Sequence, residues 1–170
     1  MNPEIAEALH EQIHKEFTAA FLYLSFSVQM REYGLRGAGK WLRVQYREEC
    51  GHALRLLDYL DRRRVPAHVP RIDTPDYTWE TPLDVFRLAL EHEQQITQSI
   101  HTLASLCYRE QDYATLAELT DYITEQVEEE NQVADIVAAL KRCGNDASAL
   151  FQLDLRLENA RDAGEKVWAQ

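Results

Sequence analysis

The sequence predicts an all-α protein, a four-helix bundle with a long connection between its second and third helices and a short fifth helix. Three observations support this fold class. Apolar residues recur at alternating spacings of three and four along four long segments, as they do on the buried face of a helix. Only six of the 170 residues are glycine, and four of the five prolines lie between Pro66 and Pro82. Helix-breaking residues are therefore concentrated in one part of the chain, which we expect to be the long connection.

The ends of the first two helices are indicated by their terminal residues. Asn2 followed by Pro3 is a favoured helix start, because asparagine caps free N–H groups and proline fits the first turn. We expect the first helix to begin there and to stop before Gly34. The second helix should then run from about Ala38 to Arg63.

The third and fourth helices have equally clear signals. Thr81 is a predicted N-cap, and Asp84 stands at the capping-box position. The fourth helix should begin near Asp112 and end just before Gly144. Residues 64–80, between the second and third helices, are too many for a tight turn. We expect them to cross the length of the bundle, which would make these two helices parallel.

The tail is less regular. Either Asn145 or Asp146 can cap a short fifth helix at about residues 146–158. Residues 151–157 also alternate between apolar and polar as a strand does. Of these two readings we favour the short helix, packed against its neighbours.

Composition limits the class of protein. With 170 residues and 45% apolar content, we expect one domain covering residues 1–170, of which about 3–142 form the bundle. No apolar run is long enough to span a membrane and no secretory signal is visible, so a cytoplasmic location is the default expectation. The net charge of −11 repels nucleic acid and anionic lipid, and neither is an expected partner.

Three cysteines, Cys50, Cys107 and Cys143, are widely spaced and include no Cys-x-x-Cys pair. A zinc knuckle and a rubredoxin-type iron site are therefore excluded. An odd number also argues against a disulfide framework, so we interpret the three as buried or partly buried thiols.

Polar residues of metal-ligand type interrupt the apolar, core-facing row of every long helix. Because each interruption lies near the middle of its helix, the polar groups should meet at one level of the bundle, whichever way the helices run. They are Glu16 in the first helix, Glu49 and His52 in the second, Glu93 in the third, and Gln126 and Glu129 in the fourth.

These residue types point to a pair of metal ions. Glu49 and His52 share a helix face, and Glu-x-x-His is the spacing used in di-iron carboxylate bundles. Carboxylates with one imidazole suit iron or manganese. Four glutamates would balance two divalent cations, and Glu49, central in the set, is the best bridging candidate. Without metal, these buried carboxyls would have to share protons and raise their pKa values. A single Glu-x-x-His is common by chance, so the prediction rests on the coincidence of all four helices.

Residues beside this set allow two readings. Glu48, Glu125 and Glu128 are either solvated acidic helix faces or an auxiliary cation site. Tyr23, seven residues from Glu16 on the same face, is either a core tyrosine or a redox-active neighbour that donates a hydrogen bond to the site. The remaining histidines are expected to be surface residues: His10, His14, His68, His92 and His101.

The chain resembles the bacterial non-haem ferritins over nearly its full length. The resemblance depends on motifs around the predicted ligands, together with the long crossover and the short fifth helix. These motifs are His14-Lys15-Glu16-Phe17, Tyr23, Glu48-Glu49-Cys50-Gly51-His52, Glu91-His92-Glu93-Gln94 and Glu125-Gln126-Val127-Glu128-Glu129-Glu130.

The resemblance implies a role for each residue and for the whole chain. The first iron would be held by Glu16, Glu49 and His52, and the second by Glu49, Glu93 and Glu129, with Gln126 alongside. A third iron site would use Glu48, Glu125 and Glu128, with or without Glu129, and Tyr23 matches a tyrosine beside the centre. The family oxidises ferrous iron with dioxygen or peroxide. It stores the ferric product as a mineral in a homo-oligomeric shell of twenty-four subunits, whose four-fold channel the fifth helix lines.

Departures from related families narrow this reading. A bacterioferritin would carry a second Glu-x-x-His in the fourth helix, and a haem-ligating methionine where this chain has Cys50. Haem is therefore not expected. Rubrerythrins need paired cysteines, which are missing. Asp121 stands where some bacterial ferritins have a tryptophan, which places the electron-donor chemistry in question but not the iron site.

Three functions remain open from the sequence. The leading one is iron storage with ferroxidase activity. The first alternative is a non-storing di-iron oxidase, peroxidase or reductase with the same ligands, and the second is a metal-free helical interaction protein. Self-assembly separates the first two, because storage needs a closed shell.

Overall fold

The structure is a computed structural model that describes residues 1–73, 77 and 79–159. Its helices are α1 (Pro3–Glu32), α2 (Arg36–Arg62), α3 (Pro82–Arg109), α4 (Tyr113–Cys143) and α5 (Ala147–Glu158). No strand occurs among the described residues, and the all-α bundle with a short fifth helix is confirmed. Within the same residues, none of the helices is both long and apolar enough to cross a lipid bilayer.

The connections determine how the helices are arranged. Residues 33–35 join α1 to α2, and residues 110–112 join α3 to α4. Connections this short place consecutive helices side by side and antiparallel. Residues 63–81 separate α2 from α3, and those of them that the structure describes carry no helix. The predicted crossover at 64–80 is thus observed, except for residues 74–76 and 78, which lie outside the described residues.

Core packing shows the relative direction of α2 and α3. Leu42, early in α2, and Phe86, early in α3, belong to one apolar cluster. Leu60 and Cys107, near the ends of the same helices, belong to a second cluster. The two helices therefore run parallel, as the long crossover predicts.

A polar belt separates the two clusters of the core. On α1, Ile13 belongs to one cluster and Leu22 to the other, and the fully buried Glu16 lies between them. On each of the other three long helices, buried polar residues likewise lie between a segment in one cluster and a segment in the other. We use the name polar belt for the buried polar residues at this level, which are Glu16, Glu49, Glu93, Gln126 and Glu129.

Side-chain caps fix most helix starts where the sequence predicts them. Asn2 Oδ1 accepts a hydrogen bond from the Glu4 N–H at 2.8 Å. Thr81 and Asp84 form a reciprocal capping box at the start of α3. At the start of α5 the cap is Asp146, which decides between the two candidates.

The start of α2 differs from the prediction and shows why α5 lies where it does. The helix begins at Arg36, two residues before the expected start, although Leu35 offers no side-chain cap. A residue of α5 replaces that cap, because Asp154 Oδ1 accepts from the Ala38 N–H at 2.8 Å. A Cβ atom on Gly37 would lie only 1.8 Å from the Asp154 carbonyl oxygen. Glycine is therefore required for this close contact between α5 and α2.

A partly buried ion pair joins the end of α2 to the start of α4. The Arg63 guanidinium donates to both oxygens of Asp112, each at 3.1 Å. Partial burial disfavours the charged form of Asp112, but the hydrogen bonds from Arg63 and Thr115, together with the charge of Arg63, outweigh it and hold the pKa of this carboxyl below its usual value. Asp112 also caps α4 through the Thr115 N–H.

We expect Asp112→Asn to lower the free energy of unfolding by about 1 kcal/mol near neutral pH, the upper range for partly exposed pairs. Asparagine keeps the cap and removes the charge. A lowered folded pKa contributes stability above the unfolded value of 3.8 and loses it as pH falls through the folded value. The difference between the two proteins should therefore vanish below that range. Urea unfolding at pH 6 and pH 3 measures it, with Asp121→Asn on the exposed side of α4 as control. A difference that is equal at both pH values would contradict this account.

Candidate metal centre

The structure brings the six predicted ligand-type residues together inside the bundle. The side-chain carboxyl, imidazole and amide groups come from all four long helices and converge at the level of the polar belt. Their residues are nearly inaccessible: Glu16 is 0% exposed, Glu49 and Glu93 1%, Gln126 3% and Glu129 7%. The His52 side chain is 12% exposed and lies at the edge of the belt.

Two groups of three residues have the spacing that metal ligation needs. Glu16, Glu49 and His52 form one group, and Glu49, Glu93 and Glu129 form the other. Within each group, one ligand atom of every residue lies within 4.8 Å of the others. Glu49 belongs to both groups, so it stays the candidate for a ligand shared by two ions.

The first group is compact around His52. Its Nδ1 atom lies 3.4 Å from Glu49 Oε2 and 3.9 Å from Glu16 Oε2. The three-residue spacing of Glu49 and His52 places both side chains on the inner face of α2, one turn apart.

Four carboxylate oxygens in the belt have no hydrogen-bond partner among the described residues. They are Glu16 Oε2, both oxygens of Glu49, and Glu129 Oε2. A buried oxygen without a partner costs about 1–3 kcal/mol, and more when it is charged. The donor set therefore fits divalent cations of the hard or borderline class, whose ligation would satisfy these atoms.

Protons balance part of the charge when no cation is bound. Burial, reinforced by the neighbouring carboxylates, raises the pKa of Glu49 well above its usual range. Burial likewise raises the pKa of Glu129 to about 8. For His52, burial opposes the charged form, but the carboxylates of Glu125, Glu49 and Glu129 around the imidazole raise its pKa well above the usual value. The metal-free belt thus holds shared protons that entering cations must displace.

Glu93 is oriented from two other helices. Tyr23, fully buried on α1, donates its hydroxyl to Glu93 Oε1. Gln126 on α4 donates to Glu93 Oε2 at 2.7 Å. Burial, together with the nearby carboxylates, raises the pKa of Tyr23 well above 10, so the phenol stays a donor. Tyr23 is thus a core residue that also donates a hydrogen bond to the site, and its redox role stays a prediction.

Glu16 is held by a chain of side chains that the sequence reading did not include. Gln12, one turn earlier on α1 and 1% exposed, donates to Glu16 Oε1 at 2.8 Å. Ser99 on α3 donates to Gln12 Oε1 at 2.6 Å, and Lys15 donates to Ser99. The signal was available, since a glutamine four residues before a buried glutamate lies on the same helix face.

Comparison with known proteins assigns this arrangement to a family. Residues 6–143, which include every residue of the belt and all of the four long helices except the first three residues of α1, match the model of the family described as Ferritin-like domain. The chain belongs to the ferritin family. It has the ferritin fold, and the resemblance to bacterial non-haem ferritins is confirmed.

Similarity to named ferritins covers almost the whole of this chain. The chain is 37% identical over 159 residues to the bacterial non-heme ferritin of Campylobacter jejuni, covering 94% of this chain and 95% of the relative. It is 35% identical over 157 residues to the bacterial non-heme ferritin of Bacteroides fragilis, covering 92% and 98%. An open pore ferritin from Archaeoglobus fulgidus superimposes with a TM-score of 0.92 at 37% identity, covering 95% of this chain and 99% of that one.

Outside the polar belt of this ferritin, the Glu125 carboxylate contacts the Arg55 guanidinium and the His52 imidazole. Arg55 Nη2 donates to Glu125 Oε2 at 3.1 Å, and His52 Nε2 lies 3.5 Å from the same oxygen. The Arg55 guanidinium lies 3.8 Å from the centre of the Tyr122 ring, and Tyr122 donates to the His52 carbonyl oxygen. Arg55 and Tyr122 therefore fix the outer side of His52. Neither was recognised from the sequence, although Arg55 follows His52 by one helical turn.

The other two acidic neighbours lie further from the centre. Glu48 is half-buried and accepts from Gln45 at 2.8 Å, while Glu128 is exposed. Neither these residues nor Glu125 belong to a ligand group among the described residues. The auxiliary cation site stays a prediction.

His92 is not the surface residue that the sequence suggested. It is half-buried, and burial lowers its pKa to about 4. His10 is also half-buried and stacks on His68, with ring centres 4.6 Å apart. Both histidines lie on helix faces whose partners are set by packing, which residue spacing alone does not reveal.

Proposed function

We propose that this chain is a ferroxidase that stores iron, oxidising ferrous ions at the belt and retaining the ferric product in a shell of twenty-four identical subunits. The observation that carries the proposal is the set of four buried carboxylate oxygens without partners, within two ligand groups that share Glu49. Family membership and the named non-heme ferritins support it.

The ligand assignment follows the two groups. Glu16, Glu49 and His52 hold one ferrous ion, and Glu49, Glu93 and Glu129 hold the other. Gln126 and Tyr23 keep Glu93 in place through their hydrogen bonds, and Gln12 does the same for Glu16. Because carboxylates ligate in their deprotonated form, the protons shared in the metal-free belt leave as the ions enter.

The reaction needs few groups beyond these ligands. Two ferrous ions give two electrons to dioxygen, which takes up two protons and leaves as hydrogen peroxide. With hydrogen peroxide as the oxidant, the same two electrons and two protons yield two water molecules. The chain's part is to hold both ions close together in a site that excludes bulk water. Glu48, Glu125 and Glu128 are proposed as an outer cation site on the same side as His52.

Iron loading in air tests the proposal. Metal-free protein is mixed with excess ferrous salt and passed over a sizing column, and the iron that co-elutes is counted. We expect far more iron than the roughly two ions per chain that a di-metal site holds, in a particle of shell size. The same mixture without oxygen is the control and should retain little beyond the bound pair. About two irons per chain in a small oligomer would contradict storage and favour the non-storing di-iron oxidase or peroxidase.

A further inference from the structure

A basic cleft lies at the start of α2, away from the polar belt. Its cavity of about 360 Å³ is lined by five cationic side chains from α1 and α2: Arg31, Arg36, Lys40, Arg43 and Arg47. Among the described residues, Glu158 at the end of α5 is the only acidic one that lines it. The chain has 18 lysines and arginines in all and a net charge of −11, so this concentration of positive charge opposes the overall balance.

The five cations form no ion pairs within the part of the chain that the structure describes. Among the residues that the structure describes, none of the five side chains lies within 4.0 Å of a carboxylate oxygen. Lys40 donates only to the backbone oxygen of Glu158, at 2.9 Å. Like charges spaced by four residues destabilise a helix by about 0.2–0.5 kcal/mol per pair. An anion held in the cleft would remove this repulsion.

The positions of the cations follow from the helix geometry. Arg36, Lys40, Arg43 and Arg47 are spaced by four, three and four residues, so they form one row on α2. At about 1.5 Å per residue, this row extends over roughly 16 Å.

Arg31 reaches the row from α1 because of a glycine. A Cβ atom on Gly39 would lie 2.4 Å from Arg31 Cγ and 2.9 Å from the Ser27 carbonyl oxygen. The absence of a side chain at position 39 lets the stem of Arg31 pass over α2. The cleft is therefore a result of close helix packing as well as of surface composition.

We propose that this cleft binds short inorganic phosphate chains, such as pyrophosphate and tripolyphosphate. Arginine forms paired hydrogen bonds with phosphate oxygens, and four of the five cations are arginines. A row about 16 Å long matches several linked phosphates better than one phosphate ion. The inference does not depend on the proposed iron chemistry.

Calorimetric titration of the assembled, metal-free protein in phosphate-free buffer at low salt tests the proposal. We expect tripolyphosphate to bind more tightly than pyrophosphate, and pyrophosphate more tightly than orthophosphate. The double variant Arg43→Gln/Arg47→Gln should weaken tripolyphosphate binding at least tenfold. The double variant Arg43→Lys/Arg47→Lys keeps the charge but lacks the paired donors of arginine. Its affinity for tripolyphosphate should lie between those of the unmodified protein and the glutamine double variant.

The matched control is Lys141→Gln/Arg142→Gln, which removes two exposed charges from α4 outside the cleft. It should bind tripolyphosphate as the unmodified protein does. Equal weakening in both double variants would overturn the site and leave only a general charge effect. Absence of binding would overturn it as well. A nucleoside triphosphate or a short DNA duplex that binds more than tenfold tighter than tripolyphosphate would overturn the assignment to inorganic chains.

Discussion

Replacing Glu49 by glutamine is expected to slow ferrous oxidation by at least about a hundredfold. Loss of a side chain that only supports a metal ligand already costs up to about a hundredfold, and Glu49 is proposed as a ligand itself. Glu49 is the residue common to both ligand groups, and neither of its oxygens has another partner. Glutamine has nearly the same shape, so the packing of the belt is preserved while the bridging charge is lost. The initial rate is followed by the absorbance of the ferric product.

The same substitution should make the metal-free protein more stable. Burial and the neighbouring carboxylates raise the pKa of Glu49, which shows that its charged form is unfavourable there. A carboxyl whose pKa is raised on folding must take up a proton or remain as a buried charge, which costs stability at neutral pH. Glutamine avoids this cost, so we expect a gain on the order of 1 kcal/mol or more. We therefore expect a higher melting temperature without metal. Added Mn²⁺ should raise the melting temperature of the unmodified protein but not that of the variant.

Glu91→Gln is the matched control, because Glu91 is exposed and lies on α3 only two residues from Glu93. It should alter neither the oxidation rate nor the response to Mn²⁺. If Glu49→Gln still bound two Mn²⁺ ions per chain with unchanged affinity, the shared ligand assignment would be wrong. A lower melting temperature without metal would show that Glu49 is charged and well compensated in the folded protein.

Gly37→Ala is expected to displace α5 from the bundle. The added Cβ would meet the Asp154 carbonyl oxygen at 1.8 Å, the Asp154 carbonyl carbon at 2.8 Å and the Glu158 nitrogen at 2.9 Å. All three are backbone atoms, so no side-chain rotation relieves the clash. Movement of α5 would also remove the Asp154 cap from Ala38. We expect a loss of about 2–3 kcal/mol, typical of overpacking combined with a lost cap.

Melting temperature and limited proteolysis near residue 147 measure this effect. Gly34→Ala is the control in the same region, because its Cβ would meet nothing within 4 Å, although its φ of +99° makes alanine unfavourable there. Such strain costs about 1 kcal/mol and leaves α5 attached. If the two variants showed the same proteolysis and the same melting temperature, α5 would not depend on close approach to Gly37.

The residues of the belt could be predicted because their chemistry is unusual for their position. A glutamate such as Glu16 or Glu93 in an otherwise apolar helical row is costly, and its level along the helix is fixed by residue spacing. Helix ends were predictable for the same local reason, because Asn2 and Thr81 bond to their own helix starts.

Contacts between distant segments could not be predicted in this way. The early start of α2 depends on Asp154 from α5, and the outer side of His52 depends on Arg55 and Tyr122. A single sequence records which residues are present but not which helix faces meet across the bundle. The half-burial of His92 was missed for the same reason.

The cap that α5 provides to α2 also orders events in time. Ala38 and Asp154 are 116 positions apart, so the ribosome makes the start of α2 long before its capping residue exists. At about 5–20 residues per second, the interval is roughly six to twenty-three seconds. Until α5 has been made, the Ala38 N–H group can bond only to water, and Gly37 lacks its contact with α5. Only a chain that has been made through α5 can cap the start of α2. A chain that terminates before Asp154 would therefore lack this cap.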